Sequence, residues 1–324
     1  MHEHWQTFLD QHRFEITEAD GAARAYARSP ATAESATCCV DLNHFTALRL
    51  IGADARTFLE GYLTCAMNSL DQSHALLGAY CNIKGRVVAD ATVLLVDEHP
   101  TLLMHASLRH SVVTSLRKYL AFSRSRFVEP DDDAPVLLGI VNPPESLGLP
   151  AEPLTTAHFR GGRAIAIAGS RPRVLLVLPA AHARSLWLEF AAQSATGDAT
   201  AWDLLDIRSG IAHVCAATSE TFLPQMLDYD RLGAISFTKG CYLGQEIVAR
   251  TQHLGRSKRH LHTLRWRGER APSIGAALCN EANARSGTLV AIVTIGAHQG
   301  EALAVLNDDS SGPLQAGGAT FEAQ

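Results

Sequence analysis

The chain lacks the cysteine spacing of a disulfide-stapled protein. Its 324 residues hold seven cysteines, at positions 38, 39, 65, 81, 215, 241 and 279, an odd number with no CxxC pair. That pattern argues against a disulfide framework, and equally against a self-contained structural zinc site, whose ligands come in close pairs. No apolar run approaches the roughly 20 residues that a membrane-spanning helix needs. The opening MHEHWQTFLDQHRFEI is charged and has no apolar core of signal-peptide length. A reducing, cytoplasmic compartment with no membrane partner is expected from these absences. Excess positive charge is missing too: the formal net charge is −5, unlike a surface built mainly to hold nucleic acid. The runs RSKRH (256–260) and RWRGER (265–270) leave a local basic patch open, beside the plainer reading of a solvated strand edge. Apolar material, by contrast, is ample: 47% of residues are hydrophobic, enough over this length for two or three cores.

Short strands and helices alternate along most of the chain. After an Ala- and Ser-rich lead to about residue 36, which reads as mobile, ALRLIG is expected as a strand and DARTFLEGYLTCAMNSL as an amphipathic helix. Asp54 is its candidate cap, and Phe58, Leu59, Tyr62 and Leu63 its buried stripe. GAYCNIKGRVVADATVLLV supplies two β-rich runs around Lys84 and Gly85. A third follows the turn DEHP, and Leu108 to Leu120 returns to helical spacing. The order recurs in GRAIAIA, GSRP, RVLLVLP and a helix through Trp187, which suggests two related α+β units. The acidic, proline-rich PDDDAPVLLGIVNPPESLGLPAEP contains their link. A helix from about Ala201 to Ser209 ends at Gly210, a residue suited to a left-handed cap. Beyond Arg256 the pattern is of strands alone, as in a small antiparallel barrel or sandwich.

The richest chemistry lies in KGCYLGQEIVAR, Lys239 to Arg250. Cys241 reads as opening a helix that continues through Ile247 and Val248. A thiol in a first helical turn faces unpaired backbone N–H groups and the positive end of the helix dipole, which favour thiolate, and Lys239 adds charge nearby. The plain alternative is a small buried apolar residue. Gly240 would let backbone approach closely, Tyr242 would stack or donate a hydrogen bond, and Gln245 and Glu246 would orient the loop. For Gln245, Glu246 and Arg250, tying the helix to neighbouring domains serves equally well.

KGCYLGQE matches the KGCYxGQE signature of the YgfZ-type folate-binding proteins, relatives of the aminomethyltransferase T-protein of the glycine cleavage system. The chain is similar to that family over roughly residues 40 to 310, through IGADARTFLEGYLT, KGRVVAD, AWDLLDIRSGI and FLPQMLDYDRLGAISFTKGCYLGQE. The resemblance implies an α+β, T-protein-like three-domain ring: two α+β units and a C-terminal antiparallel β-barrel around a central folate channel. The expected boundaries are a lead at 1–36, a folate-binding unit at 37–130, a second unit with the signature at 131–256, and the barrel at 257–324.

It further implies tetrahydrofolate or a one-carbon derivative as cofactor and no bound metal. The implied partners are folate and iron–sulfur proteins or assembly factors, including those of tRNA-modifying enzymes; direct tRNA contact stays open. Phe45 and Trp202 fall on the family's aromatic positions and would wall a pterin, although both also suit a core. Lys84, Arg86 and Asp90 match the family's middle loop. Asp90 stands where the T-protein keeps its catalytic aspartate, so a folate-dependent aminomethyl- or methyltransferase is the alternative function, and enzymatic turnover is left undecided. Against that alternative, the carboxylate with which the T-protein grips the pterin falls on Arg208, which cannot accept its hydrogen bonds; Asp206 is the substitute to consider. Lys239 would then either lower the pKa of Cys241 or meet the folate tail. A cysteine hydrolase using Cys241 with His253 or His260 as base is the third possibility.

Overall fold

A computed structural model describes residues 3–12, 14–19, 22–27, 37–129, 134–193, 195–253 and 257–324. Helix α1 (Glu3–Gln11) leads to β1 (Phe14–Ala19), β2 (Ala22–Ala27), β3 (Cys38–Asp41), β4 (Phe45–Gly52), α2 (Ala55–Glu60), β5 (Leu76–Cys81), β6 (Val87–Val96) and β7 (His99–His105). Then come α3 (Arg109–Leu120), β8 (Ser125–Phe127), β9 (Val136–Val141), β10 (Thr156–Phe159), β11 (Gly162–Ile167), β12 (Arg173–Leu178), α4 (Ala180–Ala191), β13 (Thr196–Gly197), α5 (Ala199–Arg208) and α6 (Gln245–His253). The last strands are β14 (Arg259–Arg267), β15 (Ala277–Cys279), β16 (Arg285–Gly296), β17 (Gln299–Asn307), β18 (Leu314–Ala316) and β19 (Ala319–Ala323). Two compact units divide the chain: Met1–Glu60, Ala66–Leu76 and Ala91–Leu205 form the first, and Gly61–Cys65, Leu77–Asp90 and Asp206–Gln324 the second. Residues 28–36 of the expected lead, 130–133 of the acidic link and Arg256 of the basic run lie outside the described residues.

The first unit is built on a six-stranded sheet ordered β10-β11-β12-β9-β3-β13. VLLGIV in β9 and RVLLVL in β12 are buried throughout, as continuous apolar strands are when both faces of a sheet are covered. Val136, Leu138, Ile140, Val174, Leu176 and Leu178 face one core with Trp187 and Phe190 of α4. The alternate residues Leu137, Val141, Leu175 and Val177 face a second core, shared with Phe45, Leu94, Leu103 and Trp202. Gly139 makes room for that tryptophan: a Cβ there would lie 2.5 Å from the Trp202 ring.

The lead is ordered where it is described. Trp5 and Leu9, one helical turn apart, bury their side chains in the core beside α4, with the Trp5 ring edge-on to Trp187 at 5.9 Å. The Trp5 indole donates to Oδ1 of Asp41 at 2.8 Å, and Asn43 donates to the same oxygen. Burial pushes the Asp41 carboxyl up to about 6, and the Asn43 and Trp5 hydrogen bonds offset only part of this. A folded-state value above the unfolded one means that stability falls as pH rises from about 4 through about 6, then levels. Asp41→Asn keeps an acceptor for Trp5 and has no charge to bury. Its stability relative to wild type should therefore improve by roughly 3 kcal/mol between pH 4 and pH 8, read by urea unfolding at each pH. An unchanged difference between the two pH values would refute the burial argument.

The amphipathic helix expected over DARTFLEGYLTCAMNSL stops at Glu60. Residues 61–65 belong to the second unit, where their backbone finds other partners. The Thr64 amide donates to the Ala79 carbonyl at 2.9 Å, the Ala79 amide donates back to the Thr64 hydroxyl at 2.8 Å, and the Thr64 carbonyl accepts from the Ser236 amide at 2.9 Å. Asp54 holds the guanidinium and backbone N–H of Arg124, which lower its pKa. The expected helix at Leu108–Leu120 and the Gly210 cap are present: α3 spans Arg109–Leu120, and Gly210 has φ +65° just past α5.

The expected C-terminal barrel is present in the second unit as a closed ring, β14-β17-β16-β15-β18-β19. Leu264, Trp266, Leu278, Leu289, Ala302, Ala304 and Phe321 fill it. The Trp266 indole reaches the Val293 carbonyl at 3.0 Å, next to Gly300, where any Cβ would strike that strand. Among the described residues, no helix is long and apolar enough to cross a membrane.

Candidate functional site

The turn between β5 and β6 and the signature loop are fitted backbone to backbone within the second unit. Asn82 organises the turn: its Oδ1 accepts from the Lys84 and Arg86 amides at 2.9 and 3.1 Å, and its Nδ2 donates to Glu220 at 2.7 Å. The Arg86 guanidinium donates to the Thr221 carbonyl, so it braces the neighbouring segment, while Lys84 is exposed. Gly244, with φ +83°, brings the signature against this turn; a Cβ there would lie 2.4 Å from the Asn82 carbonyl oxygen. A Cβ on Gly85 would likewise meet Ile247 at 2.9 Å. Around Gly240, by contrast, an added Cβ meets nothing within 4 Å. Within the protein, then, Gly244 makes the close approach.

Cys241 does not open the helix. α6 begins at Gln245, because Gly244 takes a left-handed conformation and the Gln245 side chain accepts the Tyr242 amide at 3.3 Å. The cysteine sits in the turn before it, exposed, whereas five of the seven cysteines are buried and Cys279 is intermediate. Burial pushes the Cys81 thiol up to about 12 and the Cys38 thiol up to about 11, which keeps those sulfurs protonated and inert. Lys239 is anchored: its ammonium donates to the Leu63 and Cys65 carbonyls at 2.8 and 2.7 Å and lies 5.4 Å from the centre of the Tyr242 ring. Tyr242 is buried, and burial, then the nearby Cys81, hold its phenol protonated. Glu246 and Arg250 are exposed, while the helix is tied down through the Val248 carbonyl, which accepts from the buried Gln225 amide at 2.8 Å.

Asp90, on β6, is gripped at both oxygens. Oδ1 accepts the Val214 amide at 2.7 Å, and Oδ2 lies 2.7 Å from Nδ1 of His213. Tyr229 stands close by, with its phenol donating to the Ala212 carbonyl at 2.8 Å; burial, then the charge of Asp90, push its pKa well up. Asp206 reaches the same cluster, 3.7 Å from Nε2 of His213. Arg208 turns instead to the barrel, where Glu301 receives Nε at 3.0 Å and the terminal nitrogen at 2.7 Å. His213 and Tyr229 escaped the sequence reading; the one available signal is a lone histidine inside the apolar run GIAHVCAA.

Phe45 and Trp202 belong to the first unit, in a single core. Phe45 packs on His44 with ring centroids 4.5 Å apart, and the Arg173 guanidinium covers the Trp202 ring at 4.8 Å. Trp202 is 2% exposed.

Two sheet-built cores and a closed barrel define a protein of the aminomethyltransferase T fold. The crystal structure of the glycine cleavage system aminomethyltransferase T from Bartonella henselae aligns with a TM-score of 0.75 at 14% identity, over 98% of this chain and 95% of that one. The GCVT N-terminal domain family model matches residues 6–143. Sequence relatives narrow the class. The tRNA-modifying protein YgfZ of Sodalis glossinidius is 31% identical over 280 residues, covering 83% of this chain and 85% of its own. Its namesake in Yersinia pseudotuberculosis is 32% identical over 281 residues, 83% and 84% of the two chains, and that of Edwardsiella ictaluri 33% over 261 residues, 77% and 78%. The chain belongs to the YgfZ family.

Proposed function

We propose that this protein binds a reduced folate and serves tRNA modification by supporting the assembly or repair of iron–sulfur clusters in the enzymes concerned, with Cys241 as its working thiol. The relatives' name, tRNA-modifying protein, supports the first half of this reading, as does the match to the GCVT domain. The observation that carries the second half is the cysteine inventory: the signature holds the one exposed sulfur among seven, on a loop pinned by Lys239 and Gly244. A single cysteine cannot complete a cluster's ligand set, so the remaining ligands come from a partner, a second copy or the folate.

The residues present fit a folate in part. A pterin edge presents N–H donors, for which Asp90 is a suitable acceptor; Arg208 supplies only donors, and these are engaged by Glu301. A bound tetrahydrofolate would supply a one-carbon carrier. Asp90 and Asp206 would meet its donors, and the exposed Lys84 offers a cation for its anionic tail. Cys241→Ala should leave folate affinity within about twofold and stability unchanged, because the side chain is exposed. It should abolish restoration of an iron–sulfur tRNA-modifying enzyme in deficient cells. Restoration at the wild-type level would eliminate Cys241 as the functional group.

One feature favours a second reading, a one-carbon transferase using Asp90. The carboxylate is held in one orientation by two protein donors, as a catalytic group needs to be. Substrate-dependent consumption of methylene-tetrahydrofolate by the purified protein distinguishes it from the first.

A further inference from the structure

The dipeptide His213–Val214 engages both oxygens of Asp90: the Val214 amide holds one and the His213 ring the other, each at 2.7 Å, beside the Tyr229 phenol. The second ring nitrogen faces another carboxylate, with Nε2 3.7 Å from Oδ2 of Asp206 in the last turn of α5. With only one ring proton, whichever nitrogen lacked it would aim a lone pair at a carboxylate. The three side chains are 30%, 14% and 7% exposed for His213, Asp90 and Asp206, so water screens these charges only partly. The other titratable group at Asp90, the Tyr229 phenol, is buried and stays protonated.

We propose that His213 is the positioning residue of Asp90: an imidazolium clasped between Asp90 and Asp206, which fixes the Asp90 carboxylate so that its unused acceptor capacity serves the N–H groups of a bound heterocycle. The identity of that heterocycle rests on the folate reading; the clasp does not. Two carboxylates around one cation leave the cluster with a net negative charge, so it selects a neutral or cationic donor edge and disfavours an anionic group. The anionic tail of the same ligand is accordingly held elsewhere.

The test has two independent arms on the full chain. In the first, NMR follows the ring signals of isotope-labelled histidine, with His213 assigned by its loss in His213→Gln. The pH midpoint of His213 should fall in both Asp206→Asn and Asp90→Asn by about half a unit or more, since each removes one stabilising anion. A midpoint unmoved by both substitutions overturns the clasp. In the second arm, calorimetry measures 5-formyltetrahydrofolate binding from pH 6 to pH 9. His213→Gln should bind about tenfold more weakly and lose the pH dependence of wild type, an effect the size of one positioned hydrogen bond. Wild-type affinity and pH profile in His213→Gln would overturn the positioning role. Should wild type bind no folate while its His213 midpoint shifts as expected, the clasp is supported and the folate reading falls.

Discussion

Arg208→Glu is expected to destabilise the second unit by about 2 kcal/mol and not to recreate a pterin-binding carboxylate, with the loss seen as an earlier midpoint in urea unfolding. Arg208 holds Glu301 through Nε and a terminal nitrogen at 2.7–3.1 Å, and Glu301 is only 8% exposed. Glu301 is buried although Arg208 itself is 31% exposed, so removing the arginine leaves a buried carboxylate without its partner, and a glutamate at 208 would add repulsion to that cost. Two further variants separate geometry from charge. The swap Arg208→Glu with Glu301→Arg should recover most of the stability, and Arg208→Met with Glu301→Leu should lie within about 1 kcal/mol of wild type. If Arg208→Glu alone unfolds at the wild-type midpoint, the pair is not holding the barrel strand.

The second large effect is expected from a single methyl group. Gly244→Ala forces a side chain into φ +83° and places its Cβ 2.4 Å from the Asn82 carbonyl oxygen and 3.1 Å from Gly85 Cα. The left-handed conformation alone costs about 1 kcal/mol, and the contact, being with backbone, is relieved only by shifting a turn. A loss of roughly 3 kcal/mol is expected, together with faster proteolytic cleavage in residues 239–245. Gly240→Ala, four residues away with open space around it, is the matched control and should unfold like wild type. Equal behaviour of the two alanine variants would show that the signature loop is not seated on the Asn82 turn.

Elements whose cause is local could be read from the residues. α3 ends close to where its periodicity fades, Gly210 caps α5, and the change to strands beyond residue 256 marks the barrel. What escaped depends on distant partners. GYLTC continues an apolar helical stripe, yet Lys239, about 175 residues later, claims the Leu63 and Cys65 carbonyls, and helical bonds there give way to tertiary ones. The N-terminal lead reads as mobile because it is rich in Ala and Ser, while the partners of Trp5, Asp41 and Trp187, lie far along the chain. At the site, the signature points to Cys241, but the helix starts four residues later, at Gln245, after the left-handed Gly244. Its place in an apolar run is all that marks His213 locally, because its partner Asp90 precedes it by 123 residues.

The anchoring of Lys239 bears on which electrophiles the signature can engage. An ammonium capped by two carbonyls must break both contacts and shed its proton before it can attack anything, whereas an exposed thiol, though it too reacts as its conjugate base, is already open to the reagent. Amine and thiol stand two residues apart, and with Cys241 as the proposed working thiol, a reagent or metabolite arriving there would meet soft, sulfur-centred reactivity in place of Schiff-base chemistry.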